Sequence, residues 1–193
     1  GYRLDGALIP AGQDQVTFTL TAPLDAPDGP VPLDMEGRAT VQGVQVARPA
    51  VPADDMMQAF AYRHLVPASE FTSLAVGRLR YRESVSILTA SPVRIAPGGS
   101  ARVELNLPTG RFISDIKYEL VNAPDGLSIK ENTEDSLVLQ ADAAKLKPGQ
   151  NGNLIIAAFG TPKFMGDAQA PAAANKPRFP LGAFPAATYL ITP

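Results

Sequence analysis

Alternation of apolar and polar side chains is the dominant order in this chain. In "VTFTLTA", residues 16–22, Val16, Phe18 and Leu20 fall on one side and Thr17, Thr19 and Thr21 on the other. A period of two with β-branched residues is the pattern of a half-buried strand. "LDAPDGPV" then predicts a turn, because Pro27 fixes φ and Gly29 permits a positive one. "VPLDMEGRATVQGVQVARP" reads as a strand and a hairpin turning near Gln42–Gly43. Further on, "PVRIAPGGSARVELNLP" predicts a strand, a Pro-Gly-Gly turn and a strand with Val103, Leu105 and Leu107 on one face. "DIKYELVNAPDG" alternates Ile116, Tyr118 and Leu120 before a Pro-Asp-Gly turn. "SLVLQA", "GNLIIAAFG" and a closing "ATYLIT" complete the set. Short strands at intervals near ten residues, separated by turn signals, predict an all-β sandwich fold.

The order of signals after Gly1 matches the order after Gly126: aliphatic alternation, a bend, Pro then Gly, and a strand closing in Gly. Taken as a repeat, this predicts two tandem Ig-like β-sandwich modules, 1–82 and 83–193. The first would then lack its opening strands, and the chain would be the tail of a longer protein. The competing reading is that all sandwich strands share this grammar. Residues 161–187 are rich in Pro and Ala without sustained periodicity, and predict a long surface loop between the last two strands.

Between the strand clusters lies "DDMMQAFAYRHLVP", residues 54–67, with the single histidine. As a helix, Met56, Met57, Phe60, Ala61, His64 and Leu65 share a face. Pro52, Asp54 and Asp55 suit a helix start, and Pro67 a stop. As a strand, Phe60, Tyr62, His64 and Val66 alternate. The expectation is a hybrid: one helical turn over 53–59 near the module junction, then an extended run to Val66. Met56, Met57, Phe60, His64 and Leu65 are then expected to pack between the modules.

Composition narrows the chemistry. Of 193 residues, 45% are hydrophobic and 19% charged, enough apolar material for a core. The net charge of −2 argues against a nucleic-acid partner, which needs a basic face. No apolar run approaches the roughly 18 residues of a membrane helix, so no membrane span is expected. The chain has no cysteine, which removes thiolate nucleophiles and cysteine metal sites and favours an exported protein that avoids mispairing.

No catalytic constellation stands out. A serine triad needs His, an acid and a Ser on a suitable turn, and Gly98-Gly99-Ser100-Ala101 is not a nucleophile elbow. One His without Cys leaves a zinc site dependent on carboxylates. A glycosidase needs only two carboxylates, which a sequence cannot locate. His64 is therefore expected to be a packed structural residue, with no catalytic residue, no cofactor and no metal site assigned. Arg78, Arg80 and Arg82 alternate as either an anion-binding stripe or a solvated strand face. Asp25, Asp28, Asp125, Glu131, Glu134 and Asp135 sit in expected turns, where calcium is conceivable, but no EF-hand spacing occurs. With no Trp, and with Tyr62, Tyr81 and Tyr118 in core-like alternations, an aromatic sugar platform is the weaker expectation.

"VPADDMMQAFAYRHLVPA", and "GNLIIAAFG" following "ADAAK", resemble segments in the C-terminal regions of large exported bacterial proteins that carry pre-peptidase C-terminal domains. The resemblance covers most of residues 31–160 and carries no assigned functional residue. It implies Ig-like sandwiches in an extracytoplasmic setting, with any enzymatic domain elsewhere in the parent. The expected function is a non-catalytic spacer or adhesion-type module. Its expected partners are flanking domains of the same polypeptide, another protein or a cell-surface glycan. The alternative is a glycan- or calcium-binding accessory module of a secreted hydrolase.

Overall fold

The computed structural model describes residues 1–27, 29–58, 62–68, 70–74, 85–108, 113–163 and 178–193. Among them the chain is all-β, with strands and no helix. Two compact units emerge. One joins Gly1–Leu24 to Tyr81–Pro193, and the other, Asp25–Arg80, is inserted between those segments. The expected tandem division at 82/83 is thus corrected. Its position falls close to one end of the insertion, but residues 1–24 belong with the C-terminal unit.

The reason is visible in long-range hydrogen bonds. Strands β1 (Arg3–Asp5) and β2 (Thr19–Thr21) pair antiparallel, with Leu4 opposite Leu20. Asn153 Nδ2 donates to the carbonyls of Gly6 (2.7 Å) and Thr17 (2.8 Å). Asn122 Nδ2 donates to Thr17 Oγ1 (3.1 Å), and the Ala186 amide donates to Thr19 Oγ1 (2.8 Å). These bonds span more than a hundred residues, and alternation in one strand carries no information about such partners.

The insertion holds β3 (Pro30–Pro32), β4 (Glu36–Val41), β5 (Val44–Pro49), β6 (Ala53–Gln58), β7 (Tyr62–Pro67) and β8 (Thr72–Leu74). β3 and β8 pair antiparallel, while β4–β5 and β6–β7 are hairpins. Gln42 (φ 51°) and Gly43 (φ 81°) form the first hairpin's turn, as expected. Two successive positive φ values are what a type I′ turn requires. The helical turn expected over 53–59 is not formed. Residues 53–58 are β6, in register with β7 from Ala53 opposite Pro67 to Gln58 opposite Tyr62. A single helical turn has a costly nucleus, whereas the ladder satisfies the backbone groups directly. The extended run to Val66 is β7, as expected.

The sandwich comprises β9 (Ser86–Ile87), β10 (Val93–Ile95), β11 (Ser100–Asn106), β12 (Ile113–Leu120), β13 (Leu127–Asn132), β14 (Ser136–Ala141), β15 (Asn151–Leu154), β16 (Ile156–Pro162), β17 (Phe179–Ala183) and β18 (Ala187–Ile191). One sheet has the order β13-β14-β11-β9. The other layer is two ladders, β10-β18-β15 and β12-β16-β17. They run on into each other, because β15 and β16 are separated only by Ile155, whose carbonyl accepts from the Val121 amide (2.9 Å). The Phe184 amide likewise donates to the Ile156 carbonyl (2.9 Å) between β17 and β18. Strand β10 pairs parallel with β18, all other pairings being antiparallel among the described residues. Within the stretch expected to be one loop, 161–187, β16 extends to Pro162 and β17 occupies Phe179–Ala183, while 164–177 lie outside the described residues.

Both layers fill one core. Val103, Leu105, Leu137 and Leu139 come from the first sheet, and Ile95, Ile116, Tyr118, Ile156 and Ile191 from the second. Each such side chain contributes about 1.5–3 kcal/mol by leaving water. Tyr118 meets Phe184 edge to face, with ring centroids 5.8 Å apart and planes at 70°. Its hydroxyl donates to the Glu134 carbonyl (2.6 Å), which satisfies the buried polar tip. The Pro-Asp-Gly turn closes with the Leu127 amide on the Pro124 carbonyl (3.1 Å). Gly126 there has φ 96°, and a Cβ would stand 2.7 Å from that of Lys145.

Candidate functional site

The residues expected to pack between modules lie on the β6–β7 hairpin. In an antiparallel pair, directly opposed residues share a face. Met56 therefore shares a face with His64, and Met57 lies with Asp55 and Leu65 on the other. Met56, Met57 and Leu65 are 50%, 63% and 70% exposed on this hairpin. His64 is half-buried and stands opposite Met56 in the ladder. Phe60 lies outside the described residues, as do Arg78, Arg80, Arg82 and Asp28.

The turn acids are dispersed. Asp125 pairs with Lys145 Nζ at 2.8 Å, and Asp135 Oδ1 accepts from the Thr133 hydroxyl at 3.0 Å. Among the described residues, no three His, Cys, Asp or Glu side chains gather as a ligand set for a metal ion. Nor is any helix there long and apolar enough to cross a membrane.

Among the described residues, two hollows bear on a site. Within the insertion, a hollow of about 400 Å³ is lined by Asp34, Glu36 and Glu70 together with Pro32, Leu33, Met35 and Phe71. In the sandwich unit, an open groove of about 570 Å³ lies where the N-terminal segment passes β15 and the residues after β12. Six carboxamides line it: Gln13, Gln15, Asn122, Gln150, Asn151 and Asn153. Val16, Val121, Pro124 and Ile155 supply apolar wall, and Tyr189 and Thr17 supply hydroxyls. None of its lining residues is Asp, Glu, Lys, Arg or His.

The groove's shape follows from local chemistry. Asn153 ties down the N-terminal segment through its amide, as described above. Asn122 holds φ 50°, a left-handed conformation that Asn tolerates better than most residues. Gly152 lets the Tyr189 ring lie against the backbone, since a Cβ there would be 3.1 Å from the ring. Tyr189 is 3% exposed, and burial pushes its phenol up while a Gln150 side-chain hydrogen bond pulls it down.

Sequence reasoning passed over this groove. Its signal was present as two amide-rich strings beside glycine, "GQDQV" at 12–16 and "GQNGN" at 149–153. Their juxtaposition depends on N-terminal docking that no local pattern encodes. Neither the family models, nor the curated proteins, nor the solved structures compared with this chain give a match.

Proposed function

We propose that this chain is a non-catalytic structural and interaction module of a larger exported bacterial protein. In this reading it is an Ig-like β-sandwich whose inserted hairpins contact flanking domains of the same polypeptide. The strand order supports the Ig-like assignment. A β13-β14-β11-β9 sheet opposed by β12, β15/β16, β17/β18 and β10 matches the two-sheet arrangement of that fold. The resemblance read from the sequence over most of residues 31–160, together with a composition free of cysteine, supports the extracytoplasmic setting.

The observation that carries the proposal is the apolar surface of the insertion. Val41, Val44, Val51, Met56, Met57 and Leu65 are all exposed on or beside two-stranded ribbons. Ala39, Val41, Val44 and Val46 form one face of the β4–β5 hairpin. An isolated ribbon is marginal in water, and an apolar face on it gains stability when covered. A photo-crosslinking residue at Val44 or Leu65 of the full-length protein tests this. Crosslinks to other domains of the same polypeptide are expected. Folded protein that yields none at either position would refute the contact role.

A further inference from the structure

We propose that the carboxamide groove of the sandwich unit is a binding site for a neutral oligosaccharide. This goes beyond the contact role of the insertion and rests on different residues. The groove's volume of about 570 Å³ lies within the roughly 300–1,000 Å³ of small-ligand sites, with polar groups set among apolar walls.

Its chemistry selects the ligand class. A carboxamide donates two hydrogen bonds and accepts two, and a sugar hydroxyl both donates and accepts. Asn153 spends both amino hydrogens on Gly6 and Thr17, Asn151 donates to Gly149, and Gln150 accepts from the Lys147 amide and bonds Tyr189, so the remaining capacity of the groove lies chiefly with Gln13, Gln15 and the amide oxygens of Asn122 and Asn151. Gln13 and Gln15 make no side-chain hydrogen bond within the protein among the described residues, so their amides are available to a ligand. Asn122 uses its amino group on Thr17, which leaves its carbonyl oxygen to accept.

Charge argues the same way. A charged ligand losing water requires a counter-charge or dense hydrogen bonding, and no ionisable acid or base lines the groove. Val16, Pro124 and Ile155 present apolar surface for the C–H faces of sugar rings. No carboxylate lines the groove, so binding is independent of calcium.

The test is titration calorimetry of the full chain with cellohexaose, maltohexaose, mannohexaose and xylohexaose, in EDTA, alongside oligogalacturonate and a neutral polar peptide. At least one neutral oligosaccharide is expected to bind, and the acidic one and the peptide are not. The double variant Gln13→Ala/Gln15→Ala, with its circular dichroism unchanged, is expected to bind about tenfold more weakly. On the unaltered chain, the side-chain amide signals of Asn122 and Asn151 are expected to move in NMR titration, which needs no variant to fold. Absence of heat from all four neutral sugars would overturn the proposal. So would preference for the acidic sugar or the peptide, loss of binding in EDTA, undiminished affinity in the variant, or motionless amide signals.

Discussion

Truncating Phe184 should damage this fold far more than the same truncation a few residues away. Phe184 is 1% exposed, between β17 and β18, and its ring is edge-on to that of Tyr118. Phe184→Ala leaves a cavity that rigid neighbours refill only in part, at a cost of about 3–5 kcal/mol. The aromatic pair accounts for about 0.5–1.5 kcal/mol of that. Phe179, on the same sheet, is 49% exposed, so Phe179→Ala should stay within about 0.5 kcal/mol. With a urea dependence of roughly 2 kcal/mol per molar, the midpoint falls by about 1.5–2.5 M for the first change and by about 0.25 M for the second. Urea unfolding followed by tyrosine fluorescence is a suitable assay, because the chain has no Trp. Tyr118 and Tyr189 both lie in the sandwich core, so the signal follows that unit. Equal midpoints for the two variants would refute the assignment of Phe184 to the core.

Two other outcomes follow from the same interior. A Cβ at Gly160 would stand 2.5 Å from Ile113 Cγ2 and 3.0 Å from Leu181 Cδ1, so Gly160→Ala should lower stability by about 1–3 kcal/mol in a thermal melt. Burial first, then the charges of Asp135 and Glu134, push Tyr118 up to about 12 from 10, so the folded state holds this proton more tightly than the unfolded one. That stabilisation is complete below pH 10 and is lost as pH rises from 10 to 12; unfolding midpoints should fall across this window, less steeply in Tyr118→Phe.

The two candidate surfaces depended differently on tertiary context. Alternation along "DIKYEL" and "SLVLQA" placed Tyr118, Leu137 and Leu139 in strands, and their burial at 3%, 1% and 0% agrees. The Gln42–Gly43 hairpin was legible because two positive φ values need such residues at adjacent positions. "ADDMMQ" was not legible, because six residues fit both periods and only the ladder to β7 separates them. The groove was legible only as two remote amide strings, which Asn153 brings together by holding Gly6 and Thr17.

By itself, the order of side chains determined that this chain builds sheets, where several turns fall, and which aliphatic residues avoid water. Those properties are local: a period of two and a positive φ act within a few residues. Apart from the hairpin at Gln42–Gly43, which strands pair was decided only by the tertiary structure. It joined residues 1–24 to the C-terminal unit, set 25–80 apart and assembled the carboxamide groove. Such contacts depend on the matching of hydrogen-bond partners distant in the chain, and no single segment carries both halves of the match.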